Sequence, residues 1–170
     1  MPVIEGLHHV TAIAGEPQSN INFYTGVLGL RLVKLTVNFD DPTTYHLYYG
    51  DGQGHPGTIL TFFPWPGAYL GRIGTGQLTV TSFAVPERSI PYWRERLHKR
   101  QVDFDETRSD FGEEILFLRD PDGLQLPILI LLASSVGDVR IQPLSSAGNL
   151  ACGKTNLNAF TAIADPDVQA

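Results

Sequence analysis

The sequence predicts an α+β fold: two tandem βαβββ units forming one incomplete, barrel-like mixed sheet. Two observations carry this. The order strand, helix, three strands occurs over residues 1–70 and returns over 76–133. The two helices also align, with Phe23-Tyr24 and Leu28 matching Tyr92-Trp93 and Leu97, 69 positions later. Composition permits such a fold. With 170 residues, 42% of them hydrophobic, and a net charge of -6, the chain is ordinary globular material that can bury about 70% of its unfolded surface without a metal or disulfide.

In the first unit, residues 4–14 form an apolar, β-branched run that holds His8 and His9 and ends at Gly15, which reads as a strand. Residues 17–28 carry Ile21, Tyr24, Val27 and Leu28 at helical spacing, with Gly29 as a C-terminal cap. Residues 30–39 alternate as a half-buried strand, and Asp40-Asp41-Pro42 breaks it. Strands over 45–49 and 58–63 flank a hairpin loop with four glycines and Pro56.

In the second unit, 78–85 reads as a strand and Ser89 as the N-cap of a helix to about Arg100, with Ile90, Trp93 and Leu97 as its apolar stripe. Arg96, His98, Lys99 and Arg100 then sit at a helix C-terminus, where positive charge complements the dipole. Strands follow over 102–108, 113–119 and 124–132, the last two joined by the turn Asp120-Pro121-Asp122-Gly123. Two such units each leave an apolar sheet face uncovered, so they are expected to close a shared concave sheet around a pocket.

Residues 134–170 form a tail. Within it, 157–164 (LNAFTAIA) echoes 7–14 (LHHVTAIA) at an offset of 150, with five identities in eight positions. That reads as the first strand of a third unit without companions of its own. An unpaired apolar strand recruits a partner, so a homo-oligomer is expected.

Several classes are excluded. The longest apolar stretch, 126–133, is far short of the ~20 residues of a spanning helix, and the N-terminus lacks a basic leader. The single cysteine, Cys152, forms no internal bridge. A cytoplasmic location is therefore expected, with no membrane partner. An acidic chain whose basic residues cluster on one helix end offers little to phosphates, so nucleic acid is not expected as a partner.

The segments GLHHVTAI, NFYTGVLGLRLVKLTVNFDDPTTYHLYYGDGQGHPGTILTFFPWPGA and RDPDGLQL resemble the vicinal oxygen chelate (glyoxalase/bleomycin resistance/dioxygenase) superfamily. They are most similar to the N-terminal half of hydroquinone-type ring-cleaving dioxygenases. The resemblance covers about residues 1–133. It implies a non-haem Fe(II) or Mn(II) centre held by two histidines and a carboxylate, a set that leaves open positions for a diol and O₂. It further implies a small phenolic molecule as substrate.

Carried over, the metal position of the first strand is His9. His8, on the opposite face of the strand, resembles the histidine that supports the ligand, and His46 is a candidate to hydrogen-bond a phenolic substrate. The remaining ligand positions fall on Thr61, Val80 and Pro127, with Ala159 opposite His9 in the tail echo. None of these side chains holds a metal, so the chain alone presents one ligand of three. A metal charge without a carboxylate in a low-dielectric cavity is poorly compensated, and tight metal binding by a single chain is not expected. Asp165 or Asp167 of the tail is a conceivable source of the carboxylate.

Other histidines have simpler explanations: His55 lies in a glycine-rich loop and His98 at a helix end, both solvated. Asp40 and Asp41 read as turn residues. The competing function is a metal-free module that sequesters small aromatic molecules on Phe39, Tyr48, Phe63, Trp65 and Trp93. Isomerase chemistry requires glutamates where Thr61 and Pro127 stand.

Overall fold

The computed structural model describes residues 7–74, 77–109, 112, 114–130 and the strand 159–162. Unit one consists of β1 (His9–Ala14), helix α1 (Pro17–Ile21), a π-helical continuation (Asn22–Val27), β2 (Arg31–Val37), β3 (Tyr45–Gly50) and β4 (Ile59–Pro64). Unit two repeats the order with β5 (Thr81–Val85), α2 (Ile90–Lys99), β6 (Phe104–Arg108), β7 (Glu114–Arg119) and β8 (Gln125–Ile130).

Each unit's strands form their own mixed sheet, and the helix-facing sides share one core. The first sheet has the order β1-β4-β3-β2, with β1 parallel to β4 and the other pairs antiparallel. The second has the order β6-β7-β8-β5, with β5 parallel to β8. The tail strand β9 (Ala159–Ala162) extends it by pairing in parallel with β5, Thr81 opposite Ala159. The strand expected to lack a partner thus pairs within its own chain, because the outer edge of β5 offers free N–H and C=O groups. The rest of the tail, including Cys152, Asp165 and Asp167, lies outside the described residues.

Tyr24, Leu28, Leu47, Tyr49, Leu60 and Phe62 of unit one pack in the same cluster as Phe83, Trp93, Leu97, Leu116 and Leu126 of unit two. Hydrogen bonds also tie the units: the Tyr24 hydroxyl donates to Asp120 Oδ2 at 2.9 Å, and Arg96 donates to the carbonyls of Val27 at 2.6 Å and Gly26 at 3.2 Å.

Two local expectations change. The single α-helix over 17–28 becomes α1 plus a π segment, with Leu28 N–H reaching Phe23 O and Leu30 N–H reaching Tyr24 O. The Thr25 hydroxyl already bonds the Ile21 carbonyl, competing with the α ladder, while Arg96 takes the last carbonyls. Gly29 ends the helix with φ 73°, as expected of its cap. Ser89 does stand at the N-cap of α2, but its hydroxyl turns back to Pro86 O at 2.7 Å and does not cap the helix.

Candidate functional site

Strands place successive side chains on opposite faces, and residues in register share a face. In unit one, Val10, Ala12, Leu60, Phe62, Leu47 and Tyr49 face the helix side and the core. The other face therefore carries His9, Thr11 and Ile13 from β1, and Thr61 and Phe63 from β4. It also carries His46 and Tyr48 from β3, and Lys34 and Thr36 from β2. The sheet gathers the candidate residues His9 and His46 on this one face.

His8 stands just before β1 and is exposed, as is His9. It does not lie across the strand from His9: the two Nδ1 atoms are 3.0 Å apart and the rings meet edge-on at 89°. Such a contact requires one Nδ1 to carry the proton. With His9 as donor, its Nε2 keeps the lone pair that a metal needs, a tautomer fixed by the neighbour's acceptor. The Gly57 N–H donates to the His8 carbonyl at 2.7 Å and anchors the start of the strand.

His46 is half-buried, its ring 4.2 Å from that of Tyr48 and 4.0 Å from that of Phe63. Its Nδ1 is 3.0 Å from the Tyr48 hydroxyl, and its Nε2 is buried without a partner. Burial first, then the electrostatic influence of His9 and of the Lys34 ammonium, hold its pKa below 6.5. The Lys34 ammonium lies 5.2 Å from the centre of the Tyr48 ring, within cation–π range. Between the two histidines, the Thr61 hydroxyl donates to Thr11 Oγ1 at 2.8 Å.

Sequence reasoning places Tyr48 only among the sequestering aromatic residues, and it does not mark Lys34 and Thr11 as members of this face. The period-two spacing of His46 and Tyr48 was the available signal.

Among the described residues, no group of three or more His, Cys, Asp or Glu side chains is placed to hold a metal ion. Thr61 occupies the β4 position on this face, and Val80 and Pro127 stand at the matching places of unit two, with Val80 bridged to Gln125 as His9 pairs with Ile59. A two-histidine, one-carboxylate set does not fit these residues as they stand.

The other candidates keep local roles. His55 Nδ1 lies 2.6 Å from Asp51 Oδ2 in an exposed loop. Burial alone would raise the Asp51 carboxyl, but hydrogen bonds from the His55 ring and from the N–H groups of His55, Gln53 and Gly54 bring it below its usual value. Asp41 accepts from both Thr43 and Thr44, as a turn residue does. His98 rests against the Phe104 ring at 4.9 Å.

The aromatic residues proposed as a sequestering surface do not all converge: Tyr48 and Phe63 both flank His46, but Trp93 is core and Phe39 is 96% exposed. A cavity of ≈ 390 Å³ lies in unit two, lined by Val102, Asp103, Phe104, Asp105, Phe117, Leu118 and Arg119. Its lining contains no imidazole. No helix among the described residues is long and apolar enough to cross a membrane.

The model of the Glyoxalase/Bleomycin resistance protein/Dioxygenase superfamily matches residues 6–128. The chain belongs to that superfamily. It is 56% identical over 124 residues to a Bacillus subtilis (strain 168) protein named "Putative ring-cleaving dioxygenase MhqO", covering 73% of this chain and 39% of that one. It is 40% identical over 121 residues to chlorohydroquinone/hydroquinone 1,2-dioxygenase of Sphingobium indicum, covering 70% and 38%. A crystal structure of a dioxygenase-named protein from Bacillus subtilis superposes with a TM-score of 0.71 at 55% identity, covering 75% and 41%. A glyoxalase family protein from Enterococcus faecalis, at 23% identity, shares the fold with a TM-score of 0.61 over 74% of this chain and 97% of its own. The chain spans about two fifths of the length of the curated relatives it matches.

Proposed function

We propose that this superfamily member is a two-unit portion of a ring-cleaving dioxygenase, which opens an aromatic diol of the hydroquinone type with O₂. Both oxygen atoms enter the ring-opened product, so the reaction needs no external reductant. The observation that carries this reading is the strand imidazole of His9 on an open sheet face, its Nδ1 engaged by His8, at the position to which the resemblance assigns a metal ligand. The names of the curated relatives support the same chemistry. They do not favour the metal-free sequestering module.

On this reading, His9 is one donor to an Fe(II) or Mn(II) centre whose remaining donors lie beyond the described residues or on another chain. The face of unit one then binds the aromatic ring. A cytoplasmic protein that works as a homo-oligomer is part of the same proposal.

The experiment is metal analysis of protein prepared anaerobically with Fe(II), followed by oxygen uptake with hydroquinone, for wild type and His9→Ala. The chain alone is expected to retain little iron and consume little oxygen. Stoichiometric iron and turnover that disappear in His9→Ala would show that the chain completes its own site. Iron and turnover that survive in His9→Ala remove His9 from the site. Phenol binding by metal-free protein that gains no activity in any assembly would favour the sequestering module.

A further inference from the structure

Unit two serves as an internal comparison for the face of unit one. Tyr48 pairs with Thr61 on β4, and Phe117 pairs with Pro127 on β8, at the same register position of the two sheets. His46 and Ile115, each two residues earlier in its strand, therefore occupy matching places. Where unit one has His46 against the Phe63 ring, tilted at 33°, unit two has Ile115 paired with Leu129. The fold is thus satisfied at this position by an aliphatic side chain.

The imidazole carries a cost that isoleucine avoids, because Nε2 of His46 is closed to solvent and has no hydrogen-bond partner. Buried polar atoms are nearly always paired, and an orphan calls for an explanation.

The surroundings indicate what completes it. The Tyr48 hydroxyl lies 3.0 Å from Nδ1, and when it donates there the imidazole proton is confined to Nε2. His46 is then a neutral donor flanked by two aromatic rings. That pairing suits an uncharged phenolic hydroxyl better than a carboxylate, which would call for a cation.

We propose that His46 anchors the substrate by donating its Nε2–H to a ring hydroxyl of the aromatic diol, and that Tyr48 is the positioning residue that fixes this tautomer. The inference rests on the reading of this face as a phenol-binding surface. Because Nε2 is closed to solvent, this anchoring requires a neighbouring side chain to move as the hydroxyl enters.

The test uses hydroquinone as the probe, with metal-free chain under anaerobic conditions. His46→Ile installs the residue that unit two uses. It is expected to melt at or above the wild-type temperature while losing about tenfold in hydroquinone affinity, the scale of one hydrogen bond. In wild type, ¹⁵N NMR should show His46 protonated at Nε2, with that resonance shifting as hydroquinone is added. In Tyr48→Phe, the His46 signals should move toward a mixture of tautomers, and affinity should fall by less.

Unchanged affinity in His46→Ile, His46 resonances indifferent to hydroquinone, or a His46→Ile variant that loses stability would each overturn the proposal. The last result would make the imidazole a packing residue. A chain that anchors hydroquinone through His46 yet shows no oxygen uptake in any assembly would instead retire the ring-cleaving reading.

Discussion

The Tyr24 hydroxyl donates to Asp120 Oδ2 at 2.9 Å, joining the helix of unit one to the β7–β8 turn of unit two across 96 residues of sequence. Asp120 Oδ1 also accepts from the N–H groups of Asp122 and Leu124. Burial raises the Asp120 carboxyl above its ordinary value, against the lowering effect of these hydrogen bonds, and burial together with Asp120 raises the Tyr24 phenol. A carboxyl with a raised folded pKa takes up a proton on folding, so its ionised form weakens the fold. That penalty fades as pH falls through the folded pKa toward 3.8.

Asp120→Asn is uncharged; its amide oxygen can keep the bonds from the Asp122 and Leu124 N–H groups while its NH2 donates to the Tyr24 hydroxyl oxygen in place of Oδ2. It should match or exceed wild type in thermal stability at neutral pH, with the difference shrinking on acidification. Asp120→Ala leaves the buried Tyr24 hydroxyl unpaired and should cost about 1–3 kcal/mol. Melts of the three proteins at neutral and acid pH check both outcomes. A Tm of Asp120→Asn well below wild type at neutral pH would contradict the account.

Arg96 of α2 donates to the carbonyls of Val27 and Gly26 at the end of the π segment and contacts the Tyr92 hydroxyl at 2.7 Å. The orphan carbonyls of a helix terminus carry partial negative charge, so a partly buried guanidinium there is favourable. Arg96→Ala should destabilise by about 1.5–3 kcal/mol, the range for hydrogen bonds to a charged group. Arg96→Lys should recover only part, because an ammonium lacks the planar fork. Urea denaturation of both variants measures this.

Much of the fold was legible because period-two and helical spacing are local signals and the repeat states them twice. The unread features depend on residues far apart in the chain. The π segment follows from Thr25 and from Arg96, which arrives from the other unit, and the place of β9 beside β5 follows from an open edge.

Within the candidate site, the proposal that His9 is a metal ligand came from the resemblance. The pairing of His46 with Tyr48 was implicit in the spacing along β3. The His8–His9 contact was not legible, because His8 lies outside the strand and its ring is free to turn toward its neighbour.

The hairpin ends of the two units differ in chemistry. In unit two, Glu106 and Glu114 pair with Arg94 and Arg108 in a solvated network. In unit one, the corresponding β2–β3 register holds Leu35 and Val37, the latter opposite Tyr45, all about half exposed. Exposed apolar groups on an edge strand favour association. Replacing Leu35 by Glu and Val37 by Arg, as unit two does, should change folding stability by no more than about 0.5 kcal/mol, as for surface substitutions. If the chain self-associates through this edge, the double variant should sediment as a monomer where wild type does not. Unchanged sedimentation would place the contact elsewhere.

His46 gives the last prediction. Burial, and after it the electrostatic influence of His9 and Lys34, hold its folded pKa below 6.5, so the folded state favours the neutral ring. Tyr48 faces it as well, with a hydroxyl at Nδ1. A group with a depressed folded pKa contributes its full stability above the unfolded value and loses it as pH falls through the folded pKa. Protonating the ring also ends its role as acceptor for Tyr48, since both nitrogens then donate. Wild type should therefore lose more stability than His46→Ile between neutral pH and the acid side of 6.5. Thermal melts of the two proteins across that interval measure the difference, which should increase as pH falls. Parallel curves would mean that His46 titrates alike in the folded and unfolded chains, and that its imidazole is not held neutral by this face.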